Sequence, residues 1–313
     1  AAGRRPRSQA PGAAAITRRF RHVSYALAQA PALLGQAATF APDIIGALAP
    51  SAAAASTALA AARVARVPAW LHLEEDAPPL GIESAFACVS LASADASARL
   101  EARGVTAAAA EPLPPWVDLG AAPNEAVRAA MRRDLGAGPD DVIALYAGWC
   151  GDERVARTVI EASRLVPPRG AIRFVAAAEG PAARLFTAAA AELPRILALR
   201  LPPPHALAQL LAVADLQLMP EGPAVSDPLI PAKLASLLAS GRPVLAAPPR
   251  HGFVRTFHPV TGPRLADTVV ALAAAGEERR AQGLAARRAA EDYFAMERVL
   301  RRLEQRLVRL AGR

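Results

Sequence analysis

Three short stretches carry residue types able to do chemistry. The first is Gly148-Trp149-Cys150-Gly151-Asp152-Glu153-Arg154, directly after the apolar run DVIALYAG (141–148). Two glycines let backbone N–H groups come close to a ligand, and the start of the following helix favours an anion. A tight βα turn accounts for the same glycines. No GK[ST] follows them and no GxGxxG occurs in the chain, so neither a P-loop nor a dinucleotide fingerprint is present. The second stretch is SDPLIPAKL (226–234), with Asp227 and Lys233. Pro231 suits the first turn of a helix. Lys233, the only lysine of the chain, then stands where the helix dipole disfavours a cation. An anionic ligand offsets that repulsion, while a solvated lysine near a helix start is the plainer reading. The third is His72 in LHLEED, late in an apolar strand beside Glu74, Glu75 and Asp76. A strand-end imidazole can hydrogen-bond a polar substrate, and it fits equally as a structural histidine. His205, His251 and His258 lie far from it in sequence, so no metal site is expected. There is no GxSxG, no arguable Cys–His pair and no separated carboxylate pair of the kind that hydrolyses glycosides.

The elements that position these residues follow from hydrophobic periodicity. Apolar residues recur at helical spacing from Thr17 to Ala30, and Pro31 ends or kinks that helix. Strands are expected over 42–50, 68–76 and 86–93, with helices over 56–67 and 94–103. The Pro-rich stretch EPLPPWVDLG (111–120) breaks the rhythm and marks a domain boundary. Beyond it NEAVRAAMRRDLG reads as a helix closed by a glycine. Strands are then expected over 141–148, 171–177, 195–201, 215–220 and 242–247, separated by helices over 152–165, 181–192, 205–214 and 231–240. Arg-rich amphipathic helices close the chain from 264 to 311. Strands alternating with helices imply a doubly wound α/β architecture with parallel sheets. The expected organisation is a disordered segment 1–16, a first Rossmann-like domain 17–115, a second 116–290 and a C-terminal helix 291–313.

Composition narrows the function classes. With 313 residues, 53% of them hydrophobic, the chain can bury a sizeable core and wholesale disorder is excluded. Mean hydropathy is +0.21, raised mostly by alanine, with no run of large apolar residues long enough to span a bilayer. The opening AAGRRPRSQAPGAAA lacks the leucine-rich core of a secretory signal. Cys88 and Cys150 are too few for a disulfide scaffold or a cysteine-built zinc site, and a reducing cytoplasm fits. The net charge of +8 invites a polyanion partner. However, 35 of the 36 basic residues are scattered arginines and aromatics make up only 4%, too few for base-stacking platforms. Nucleic acid is therefore not the expected partner. Arg18, Arg19 and Arg21 at the start of an apolar helix leave a peripheral contact with anionic lipid open, beside an ordinary packed helix.

With these segments placed, the chain resembles the GT-B glycosyltransferases of retaining family 4, closest to their bacterial exopolysaccharide (colanic-acid-type) branch. The stretches that carry the resemblance are PDIIGALAPSAAAASTALAAARVARVPAWLHLEED, PPWVDLG, VIALYAGWCGDERVARTVIEA, IRFVAAAEGPAARL and LLAVADLQLMPEGPAVSDPLIPAKLASLLASGRPVLAA. They run in the family's order through much of residues 20–248. The resemblance implies transfer of a sugar from a nucleotide-diphosphate donor to a glycan or lipid-linked acceptor, in the cleft between two Rossmann-like domains and without a bound metal. Cationic side chains and a helix N-terminus would offset the charge of the leaving diphosphate. Lys233 matches the lysine of the family's P.KL motif, and Gly148 and Gly151 match its glycine loop. Glu179-Gly180 matches its GDG turn, with Ala178 in place of the first glycine. His72 matches the histidine region expected near the transferred sugar. Counted from the general pattern, the family's second basic residue falls on Arg154; by the branch pattern it falls on Glu153. Ser236 and Asp227 stand at or beside the two glutamate positions, and Trp149 replaces an arginine. The family's first βα unit is absent before Ala1, so the N-terminal domain is expected to be incomplete. Two other readings fit the same residues. One is a non-catalytic relative that binds a nucleotide or a partner protein. The other is a basic protein of membrane surfaces or nucleic acid.

Overall fold

A computed structural model of the chain describes residues 31–33, 35–36, 38–48, 52–73, 81–92, 98, 100–102, 110–120, 125–167, 172–220, 232–246, 258–259 and 263–312. The expected helix from Thr17 to Ala30, the carboxylates Glu74, Glu75 and Asp76, and Asp227 lie outside the described residues. The chain divides into two compact units, one of Ala1–Leu113 with Arg301–Arg313, the other of Pro114–Leu300.

The first unit holds a four-stranded parallel sheet in the order β1-β2-β3-β4, made of β1 (Ile45–Leu48), β2 (Ala69–Leu73), β3 (Cys88–Leu91) and β4 (Ala110–Pro112). Helix α1 (Ala52–Ala65) connects the first two strands and lays Ala55, Ala58, Leu59 and Ala62 onto Ile45, Leu71 and Val89. Small alanines let this helix sit close to the sheet, so close packing takes over from side-chain volume. Gly46 is opposite Trp70 in the register, and a Cβ there would come within 2.7 Å of the indole, so the glycine makes room for the ring. Two expectations need correction. The strand expected over 42–50 starts only at Ile45, its last two residues lying outside the described ones, and the Pro-rich stretch opens with a strand, β4, paired to β3. Pro112 is tolerated because it ends an edge strand.

The second unit is a six-stranded sheet, parallel throughout, in the order β10-β9-β8-β5-β6-β7. In chain order its elements are α2 (Glu125–Asp134), β5 (Val142–Trp149), α3 (Glu153–Leu165), β6 (Ile172–Glu179), α4 (Ala183–Glu192), β7 (Ile196–Leu199), α5 (Pro204–Val213), β8 (Leu216–Met219), α6 (Ala232–Ala239), β9 (Val244–Ala246), β10 (His258–Pro259), α7 (Pro263–Ala274) and α8 (Gly276–Ala289). A π-helical turn, Ala290–Phe294, leads into α9 (Met296–Leu310). The apolar run of β5 is explained by burial on both faces. Val142, Ala144 and Tyr146 pack with α3, α4 and α7, whereas Ile143, Leu145 and Ala147 pack with α5, α6 and α8. Helix α2 ends as its glycine predicts: Gly136 has φ +68°, its N–H donates to Arg133 O at 2.8 Å, and Ala137 N–H donates to Arg132 O at 2.9 Å. No helix among the described residues is long and apolar enough to cross a membrane.

One close approach fixes how α8 docks. A Cβ on the buried Gly283 would lie 2.3 Å from the carbonyl oxygen of Gly241, the residue in left-handed conformation that closes α6. Backbone cannot swing aside as a side-chain end can. Gly283→Ala is expected to destabilise the protein by about 1–3 kcal/mol through overpacking. Circular dichroism would then record a thermal midpoint several degrees lower, at about 2–4 °C per kcal/mol; an unchanged midpoint would contradict this packing.

Candidate functional site

In a doubly wound sheet, ligands bind beyond the carboxyl ends of the strands where the chain order reverses. That place here is β5, flanked by β6 on one side and by β8, reached last, on the other. Helices that follow the strands of a parallel sheet all aim their N-termini at this edge. Lys233 stands in the first turn of α6, the helix after β8. Its ammonium lies 4.8 Å from the centre of the buried Tyr146 ring, a favourable cation–π distance. Tyr146 in turn donates its hydroxyl to the carbonyl of Trp149 at 3.1 Å.

The glycines meet this lysine. Gly148 has φ +135°, and a Cβ added there would stand 3.7 Å from Lys233 Cδ and 3.9 Å from Nζ. The lysine side chain thus runs along the bare backbone at the end of β5. The strand expected over 141–148 continues one residue further, through Trp149, with Gly148 paired to Ala178 and Trp149 to Glu179. The ladder persists because two parallel backbones pair whatever the side chains are. The turn begins at Cys150, whose N–H donates to Glu179 O at 2.7 Å and whose carbonyl accepts from Ala182 N–H at 3.0 Å. Gly180, at φ +103°, is required by sterics, since a Cβ would fall 2.8 Å from Cys150 O. The side chain of Glu179 is exposed. Gly148 and Glu179 at the strand ends, Gly151 and Gly180 in the turns after them and Lys233 at the start of α6 therefore stand at one edge of the sheet, and Ser236 follows one turn further along α6, half-buried.

Arg154 is engaged locally. Asp152 caps α3 by accepting from Arg154 N–H at 2.8 Å, and its other oxygen accepts from the guanidinium at 2.8 and 2.6 Å. The guanidinium, and then the backbone N–H, hold the Asp152 carboxyl below the usual carboxylate range; the same pair raises Arg154. Glu153, the alternative match, pairs with Arg157 at 3.0 Å and with Arg184, tying α3 to α4.

His72 belongs to the first unit. Its Nδ1 lies 3.0 Å from Ser90 Oγ, which also accepts from the Trp70 indole N–H at 2.9 Å. The register places His72 opposite Ser90 on neighbouring strands, so this polar pair is built into the sheet. Among the described residues, no cluster of His, Cys, Asp and Glu could hold a metal ion.

Sequence reasoning did not anticipate Asp215. It accepts from Arg128 at 2.9 Å, from Arg132 at 2.8 Å and from Ile143 N–H at 2.9 Å, at the opposite end of the strands from Lys233. The partners stand up to 87 residues apart, so no local pattern could have signalled them.

No family model matches the chain. No curated protein matches it either. Solved structures do. The HepE protein of Anabaena, crystallised with UDP, matches with a TM-score of 0.72 at 15% identity, over 89% of this chain and 81% of that one. A glycosyltransferase of Rickettsia africae matches with a TM-score of 0.71 at 12% identity, over 98% and 84%. Sucrose-phosphate synthase of Thermosynechococcus elongatus matches with a TM-score of 0.71 at 17% identity, over 94% and 80%. The chain thus shares with these structures a mixed α/β fold with parallel sheets.

Proposed function

We propose that this protein is a glycosyltransferase that takes its sugar from a nucleotide-diphosphate donor, with the donor diphosphate held at the end of β5. The observation that carries the reading is the Lys233 side chain facing the bare Gly148 backbone, where an added Cβ would stand 3.9 Å from the ammonium, at the strand where the sheet order reverses. A diphosphate there meets a fixed cation and backbone N–H groups at the start of helices, and so do the charges that develop on it as the sugar leaves. The UDP and UDP-glucose bound to HepE, a protein of the same fold, support a donor of this class. The sequence resemblance supports the finer assignment: retaining chemistry of family 4, the exopolysaccharide branch, and a glycan or lipid-linked acceptor. Gly151, Glu179, Gly180 and Ser236 complete the donor side, with Arg154 available once it exchanges its bond to Asp152.

The test is a thermal titration of the intact chain with UDP and with GDP. A ligand specific to the native state stabilises it by about 2.7 kcal/mol at 100 times its Kd. We expect a rise of several degrees with at least one nucleotide. A midpoint unmoved by millimolar UDP, GDP and pyrophosphate would remove the donor site.

A further inference from the structure

Trp149 is 67% exposed, although it is the last residue of a strand whose six preceding apolar side chains, apart from glycine, are all buried. Water is a poor environment for an indole, so its placement calls for a reason. The ring is also held rather than loose. A Cβ on Gly180 would approach two carbons of the indole at 3.0 and 3.1 Å, and one on Gly151 would approach its Nε1 at 3.1 Å. Glycine at both places lets one side of the ring rest against backbone. The residue's own backbone is fixed twice, by the ladder to Glu179 and by the Tyr146 hydroxyl on its carbonyl. What remains is an aromatic surface that is preorganised and open to solvent, one residue from the glycine that faces Lys233.

We propose that Trp149 is the stacking platform for the planar base of the donor nucleotide, whose diphosphate lies at Lys233. This rests on the donor-site reading above and adds the group that binds the nucleoside half. An arginine at this position would offer a second cation to the phosphates; an indole offers a π-face instead. Base–aromatic stacking tolerates any base, because every base has such a face. The platform therefore favours nucleotides over bare phosphates without choosing strongly between pyrimidine and purine. Preorganisation matters here, since a ring already resting on backbone loses little freedom when a base covers it.

Calorimetric titration of the intact wild type, Trp149→Ala and Trp149→Phe with UDP, GDP and inorganic pyrophosphate tests this. Trp149→Ala should bind UDP and GDP about tenfold more weakly, the scale of one lost stack, and pyrophosphate as before, while Trp149→Phe keeps most of the affinity. UDP should also quench tryptophan emission in the wild type more strongly than in Trp149→Phe, which keeps Trp70 and Trp116. Unchanged UDP affinity in Trp149→Ala would overturn the stacking role and leave the donor site standing. Equal losses for UDP and pyrophosphate would also overturn it, since the ring would then only be propping the turn. Binding of none of the three ligands by the wild type would overturn the donor site itself, and the platform with it.

Discussion

Lys233→Ala should bind a nucleoside diphosphate about 10- to 100-fold more weakly than the wild type, the range expected when a hydrogen bond to a charged group is lost. The effect should fall on the phosphates. Pyrophosphate binding should fall as steeply as UDP binding, whereas a stacking contact elsewhere in the site would still be made. The substitution is also expected to leave the fold intact. Lys233 is half-buried, its neighbours Leu234 and Ala235 carry the packing of α6 against the sheet, and what it surrenders inside the protein includes its cation–π contact with Tyr146. A contact of that kind contributes about 0.5–2 kcal/mol, which appears as a small drop in thermal midpoint, separable from the ligand-induced rise. Lys233→Arg keeps the charge but replaces a compact ammonium with a planar fork, so it should recover only part of the affinity. Affinity for UDP within twofold of wild type in Lys233→Ala would place the diphosphate elsewhere.

Most of this architecture is legible in the sequence because the forces that set it are local or periodic. A run such as VIALYA admits little besides a strand covered on both faces, and the two faces of the second sheet are packed as that reading requires. Gly136 and Gly241 end their helices in left-handed conformation, where glycine alone escapes strain. The errors fall where pairing overrides hydrophobicity. Strands β5 and β6 run one or two residues past their apolar cores because backbone hydrogen bonds continue through Gly148 and Glu179. Strand β4, at an edge and ending on Pro112, has no apolar alternation to reveal it. Within the site, the residue types of Gly148 and Lys233 hinted at an anion, but their meeting depends on the order of β5 and β8 in the sheet, which spacing along the chain does not contain. The hold of Gly151 and Gly180 on the Trp149 ring was equally out of reach, since it joins the turns after two different strands.

Asp215→Ala is expected to give the largest loss of stability. The carboxylate holds Arg128 and Arg132, whose side chains are 19% and 7% exposed, and it accepts the first ladder N–H at Ile143. Arg132 would keep the carbonyls of Val213, Gly138 and Asp141, but no anion would face it there. A third arginine, Arg242, makes the removal worse. Burial first, and then the nearby Arg128, already disfavour its charge, while Asp215 favours it. Taking away the carboxylate therefore leaves clustered guanidinium groups with only the exposed Glu125, 3.8 Å from Arg128, to offset their repulsion. Breaking a buried ion pair in this way costs about 3–5 kcal/mol, or a midpoint drop of roughly 10 °C in a unit of this size. Asp215→Asn separates charge from hydrogen bonding. It can still accept from the Ile143 N–H, so a loss close to that of alanine means charge dominates, and a small loss means the backbone contact does. Nucleotide binding gives the internal control, because Ile143 and Trp149 lie at opposite ends of β5, about 20 Å apart at the rise of a parallel strand. Below its lowered midpoint Asp215→Ala should bind UDP as the wild type does. Both variants melting within a degree of wild type would mean that the arginines are held by their carbonyl partners alone.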